Sequence, residues 1–128
     1  MKAYNISATR KTPAIIFDPN IGVLDIKGRS TPEDALTFYT PLFDSLAIYA
    51  TNFRPITTVN IYVEYLLTSS AKCILEVFKM LAVINKKGSA VTINWYYEEE
   101  DDDMQETGKD FQRLIDVPFK IIMVRQIS

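Results

Sequence analysis

The chain has 128 residues, 48% of them apolar and 23% charged, with a formal charge of −2, one cysteine and no histidine. That balance predicts one folded domain (residues 1–128) with a proper core, not a disordered tail, and the absence of a basic cluster along the chain argues against nucleic acid. Without histidine the commonest general base and transition-metal ligand are missing, and four glycines form no phosphate-cradling loop, so the expectation is a non-enzymatic protein without cofactor or metal.

Met1 to Thr12 lacks an apolar signal-peptide core, and no apolar run reaches the roughly 18 residues of a membrane span. The expectation is a cytoplasmic protein without membrane insertion. Residues before Ala14 give a weak edge-strand signal. Ala14-Ile15-Ile16-Phe17, the turn-rich Asp18-Pro19-Asn20-Ile21-Gly22 and Val23-Leu24-Asp25-Ile26-Lys27 then read as a hairpin. Ser30-Thr31-Pro32-Glu33-Asp34 announces a helix, with Thr31 as cap, Pro32 in the first turn and Asp34 closing a capping box. Ala35, Phe38, Tyr39, Leu42, Phe43 and Leu46 form its buried stripe, and the helix is predicted over 32–50 with a bend at Pro41.

Val59, Ile61, Val63 and Tyr65 alternate with Asn60, Tyr62 and Glu64, the period of a half-buried strand ending near Leu66. Ile74, Val77, Phe78 and Leu81 recur at helical spacing, predicting a helix over 70–85 closed by Lys86-Lys87-Gly88. Between them lies Leu67-Thr68-Ser69-Ser70-Ala71-Lys72, three hydroxyls at a helix N-terminus, where free N–H groups and the helix dipole favour negative charge. Two readings stand side by side: Thr68 or Ser69 caps the helix, or one hydroxyl carries a phosphate. Cys73, beside Ile74, reads as a packed thiol. Residues 90–97 form another strand, with Val91, Ile93, Trp95 and Tyr97 on one face. A third helix spans 102–116 on Met104, Phe111, Leu114 and Ile115, with Gly108 pointing to close packing. Pro118 precedes a last strand, 119–124. The predicted fold is α/β, a mixed and largely parallel sheet in the order β-β-α-β-α-β-α-β with three main helices.

Glu98-Glu99-Glu100-Asp101-Asp102-Asp103 sets six carboxylates before the third helix. Asp101 or Asp102 can cap it, and the excess acids read either as a solvated loop or as a surface for a basic partner. A divalent-metal site is a third reading, but the run lacks the glycine and alternating spacing of a calcium loop.

Four blocks now stand in order: Thr9-Arg10-Lys11-Thr12-Pro13, Gly28-Arg29-Ser30-Thr31-Pro32-Glu33, Thr68-Ser69-Ser70-Ala71-Lys72, and Trp95-Tyr96-Tyr97 running into the acids. In order and spacing they resemble the SiaC-type bacterial regulatory phosphoproteins over essentially the whole chain. The resemblance implies a STAS-like fold, similar to the anti-sigma-factor antagonists, and a non-enzymatic switch. By that resemblance Thr68 is the phosphoacceptor, with Ser69 and Ser70 as rivals and as caps. The kinase would be a serine/threonine kinase of the histidine-kinase-like ATPase fold, opposed by a metal-dependent serine/threonine phosphatase. The unmodified form would bind and activate a diguanylate cyclase, raising cyclic di-GMP and favouring biofilm. The partner surface is expected over Thr68, Ser69, Ser70, Lys72, Arg29, Thr31 and the acids Glu98, Glu99, Glu100, Asp101, Asp102 and Asp103. Lys72 either steadies a phosphate or is a solvated helix lysine. Leu67 and Thr31 stand where the family pattern leads one to expect asparagine and tyrosine. An anti-sigma-factor antagonist acting on transcription is the alternative function, and a metal-dependent hydrolase using the carboxylate run is a third class.

Overall fold

The computed structural model describes residues 2–126. Nine elements follow one another: β1 Tyr4–Ile6, β2 Ala14–Asp18, β3 Val23–Ser30, α1 Ala35–Tyr49, β4 Ile56–Leu66, α2 Thr68–Lys87, β5 Ala90–Glu98, α3 Asp102–Leu114 and β6 Phe119–Val124. The predicted order is present, and the weak N-terminal signal is a short edge strand, β1. The six strands form one sheet in the order β1-β2-β3-β4-β5-β6. The β1–β2 and β2–β3 pairs are antiparallel, and the three pairs from β3 to β6 are parallel.

Each helical crossover steps one strand along the sheet in the same direction, so a constant right-handed crossover leaves all three helices on one face. The burial pattern agrees. Ile15, Phe17, Leu24, Ile26, Val59, Ile61, Val63, Val91, Ile93 and Trp95 point into the core against α1, α2 and α3. The alternate residues face away from the helices. There Asn60 donates to Asp25 at 2.8 Å and Asn94 donates to Asn60 at 2.9 Å, so three neighbouring strands share a polar ladder. Beside it Tyr62 stacks on Tyr96 at 4.2 Å between ring centres.

Three sequence expectations are corrected. Helix α1 begins at Ala35, not at Pro32: Asp34 is the cap and accepts from the Thr37 amide at 3.1 Å, whereas Thr31 is engaged by the chain before β2. Pro41 lies within α1, which continues through it to Tyr49. Tyr65 is not a core residue. Between Gly28 and Arg29 the β3–β4 register slips, β4 advancing two residues against one, and this turns Tyr65 outward to 48% exposure.

Candidate functional site

The parallel strands β3, β4 and β5 all end at the same edge of the sheet, the edge at which open α/β sheets commonly present their ligand sites. Along that edge the chain sets out three features in strand order.

The middle feature is the hydroxyl corner after β4. Thr68 is the first residue of α2, and the cap position falls on Leu67, whose extended backbone (φ −73°, ψ 157°) suits a cap but whose side chain offers no acceptor. The expected side-chain cap from Thr68, Ser69 or Ser70 is therefore absent, because these residues lie inside the helix. Leu67 is instead tied through its amide to the Ser30 carbonyl at 3.1 Å. Thr68 and Ser69 are exposed, and their hydroxyls make no hydrogen bond among the described residues. Ser70 is wholly buried and accepts from Ser30 Oγ at 2.8 Å, while Tyr39 OH lies 2.6 Å from Ser30 Oγ. A hydroxyl has one proton, so with Ser30 donating to Ser70, Tyr39 donates to Ser30. Of the three hydroxyls expected at the corner, that of Ser70 is thus enclosed in the interior, while those of Thr68 and Ser69 are exposed. Desolvation pushes the Tyr39 phenol up to about 12.

Thr68, Ser69 and Lys72 share an open cleft with Glu33, Asp34, Ala35, Leu36 and Cys73, where the N-termini of α1 and α2 meet. Two helix N-termini favour anions there, but the α1 terminus already holds its own carboxylate: the amide of Thr37 keeps Asp34 below the usual carboxylate range. Cys73 is buried at the edge of this cleft, and burial, with Asp34 and Glu76 adding to it, raises its thiol pKa. It is a packing group, not a nucleophile.

Beside the corner, at the end of β3, Arg29 and Thr31 line a second cleft with Arg10 and Lys11. No basic cluster exists along the sequence; the fold makes one. Arg10 and Lys11 lie in a loop closed on itself by Thr9, whose Oγ1 accepts from the amides of Lys11 (3.2 Å) and Thr12 (3.0 Å). Such a Thr-x-x-Thr turn was a legible signal for a fixed loop. Thr31 pins the loop, its amide donating to the Lys11 carbonyl at 2.7 Å.

The third feature is the acidic run. Glu98 closes β5, Glu99 and Glu100 make the turn with Glu100 at φ 76°, and Asp101 caps α3 by accepting from the Met104 amide at 3.1 Å. Asp102 and Asp103 are exposed in the first helical turn, which their charge favours. The run lines neither of the two clefts. Among the described residues no three carboxylate or cysteine groups converge as a metal site would require.

The architecture and this edge define a class: a mixed-sheet α/β domain with helices on one face and an exposed hydroxyl on a helix N-terminus. The family model of the SiaC family regulatory phosphoproteins matches residues 6–124, and the chain belongs to that family. It is similar to an uncharacterized protein of Pseudomonas aeruginosa strain UCBPP-PA14, 26% identical over 121 residues, which is 94% of this chain and 96% of the relative. Among solved structures it resembles SiaC of Pseudomonas aeruginosa, at 25% identity and a TM-score of 0.87 over 97% of this chain and all of that one. It matches equally a chain of the crystal structure of the diguanylate cyclase SiaD in complex with its activator SiaC, from the same organism. That match has 25% identity and a TM-score of 0.88, over 94% of this chain and 99% of that one.

Proposed function

We propose that the chain is a cytoplasmic, non-enzymatic switch whose unmodified form binds and activates a diguanylate cyclase and whose phosphorylation on Thr68 releases it. A serine/threonine kinase of the histidine-kinase-like ATPase fold adds the phosphate and a metal-dependent phosphatase removes it. The observation that carries this reading is the state of the three hydroxyls: Thr68 is exposed and unbonded at the first position of α2, while Ser70 is buried and bonded. The SiaC likeness over nearly the whole chain supports the partner. Physically, a phosphate adds about −1.5 to −2 charges. A partner packed on the corner must desolvate or oppose that charge, and about 2.7 kcal/mol of lost binding is a hundredfold in affinity.

The test compares wild type, Thr68→Ala and Thr68→Asp for affinity to a diguanylate cyclase of the same organism and for cyclic di-GMP production. The expected result is wild-type binding by Thr68→Ala and binding weakened at least ~tenfold by Thr68→Asp. Equal affinity of all three proteins rejects the switch. Phosphopeptide mapping after kinase treatment separates Thr68 from Ser69.

A further inference from the structure

Arg10, Lys11 and Arg29 converge on one cleft of about 440 Å³ with Thr31 and no acidic side chain in its lining, in a chain whose net charge is −2. Three like charges gathered by the fold repel one another, and they are gathered here on a fixed frame. The Thr9 turn closes the loop that carries Arg10 and Lys11, and Thr31 fastens it to the end of β3. Gly28, at φ 128°, lets the loop pass close: a Cβ built there would lie 3.4 Å from Pro13 Cα. Arg29 follows the unbroken alternation of β3 to the exposed side, and the register slip in β4 brings Tyr65 opposite it. Its guanidinium lies over the Tyr65 ring at 5.0 Å, a contact that holds the guanidinium plane while leaving its N–H groups free to donate. Arg10 and Arg29 have no carboxylate partner among the described residues. Lys11 has one, Glu33, at 3.8 Å, but both ends are largely exposed (67% and 91%), and so loose a pair yields readily to a competing anion.

We propose that this cleft is a docking site for an acidic segment of the partner that binds the Thr68 corner, a reading that rests on the switch described above. Charge complementarity selects carboxylates: two guanidinium forks and one ammonium offer bidentate sites to them and none to a basic or apolar segment. A phosphate on Thr68 itself is the rival anion, and the geometry disfavours it. Glu33 and Asp34 line the cleft that holds Thr68, and Glu33 also occupies Lys11, so the phosphate would meet two carboxylates on its way to the basic cluster. The assignment also explains the sign of the switch. A new dianion at Thr68, beside a site that holds carboxylates, repels the docked segment and attracts the cations that bind it.

The probe is a capped hexaglutamate peptide, titrated into the full isotope-labelled chain while amide and guanidinium resonances are followed. The expected result is saturable shifts at Arg10, Lys11, Thr31 and Arg29, lost in Arg10→Glu/Arg29→Glu and in Arg10→Glu/Lys11→Glu, and suppressed by 0.5 M salt, where the Debye length is under about 5 Å. Both variants change exposed side chains, and a dispersed spectrum verifies that each is folded. Shifts elsewhere, or shifts that survive both charge reversals, overturn the proposal. So do guanidinium shifts in Thr68-phosphorylated protein without peptide, which would assign the cleft to the phosphate. In a second arm, the same variants are assayed for diguanylate cyclase binding with Thr68 unmodified, and a loss of about tenfold is expected. Wild-type binding by both variants overturns the docking site and leaves the switch standing. If no form of the chain binds the cyclase, the switch fails and the peptide titration still decides the cleft.

Discussion

Ser30 on β3 donates to Ser70 on α2, 40 residues away, through a buried hydrogen bond of 2.8 Å. With Tyr39 at 2.6 Å on the other side, one hydroxyl ties the end of the central strand to both helices that frame the Thr68 cleft. Ser70→Ala leaves the Ser30 donor without its acceptor, and the expected cost is about 1–3 kcal/mol. Ser30→Ala strands Tyr39 and Ser70 together and costs more. Thr68→Ala and Ser69→Ala, which touch no bond, should stay within about 0.5 kcal/mol of wild type. Urea unfolding of the four variants checks the ranking, and a costless Ser70→Ala would refute the network.

Helix α2 starts with its first amides uncapped by any side chain, because leucine occupies the cap position. Leu67 is 40% exposed and already has the extended backbone a cap needs. Leu67→Asn, the residue expected there from the family pattern, supplies the missing acceptor. The expected gain is about 0.5–1 kcal/mol, read as a higher midpoint of thermal unfolding. It should leave the exposure of Thr68 unchanged, which limited proteolysis at the corner would report.

Gly108 on α3 lies against the indole of Trp95: a Cβ there would stand 2.5 Å from Cδ1 and 2.7 Å from Nε1. The same indole donates to the Met104 carbonyl at 2.9 Å, so the ring cannot swing aside without losing a buried bond. Gly108→Ala gains helix propensity of about 1 kcal/mol but overpacks this contact, and a net loss of about 1–3 kcal/mol is expected. Since Trp95 is the chain's one tryptophan, its fluorescence reports the disturbance directly.

Within the acidic run, the Asp101 carboxylate accepts from the Met104 amide at 3.1 Å and so caps α3. Asp101→Ala should therefore cost about 1 kcal/mol by chemical denaturation, and Asp103→Asn within about 0.5. Glu100 sits at φ 76°, where glycine is at ease, so Glu100→Gly should be neutral or stabilising. A large loss there would show that the Glu100 side chain, not its backbone, holds the turn.

Periodicity made most of the fold legible. The strand at Phe119–Val124 and the helix on Ile74 stand where the sequence puts them. Helix α3 buries Met104 and Phe111 as expected, but Leu114 is 63% exposed and Ile115 lies in extended backbone past the helix end. The misses have physical causes. Thr31 carries every mark of a helix cap, but the loop before β2 needs its amide and hydroxyl, and a contact across 20 residues leaves no local trace. Tyr65 keeps the alternation of β4, and only a slip against β3 turns it out. At the site, Thr68 was legible as a hydroxyl at a helix start. That Ser70 is buried depends on Ser30 and Tyr39, and that Arg10 joins Arg29 depends on how a loop folds back over a strand.

Two titrations bound the stability of this edge, with opposite signs. Asp34 is held below its ordinary value of 3.8 by the Thr37 amide and hydroxyl, so its native form binds fewer protons than the unfolded chain. Its contribution is present above that ordinary value and is lost as pH falls through the lower native one. Tyr39 behaves conversely. Burial raises it from 10.0 to about 12, so the native state keeps its proton where the unfolded chain gives it up. Stability is full below pH 10.0 and is lost as pH rises toward about 12, by roughly 2–3 kcal/mol at most. Burial raises the phenol of Tyr62 and the thiol of Cys73 as well, and these act in the same direction. Tyr39→Phe isolates the one contribution: it should lower stability at neutral pH, by loss of the bond to Ser30, and flatten the alkaline limb. Urea midpoints for wild type and Tyr39→Phe between pH 8 and 11 measure the difference, and parallel curves would remove Tyr39 from the alkaline transition.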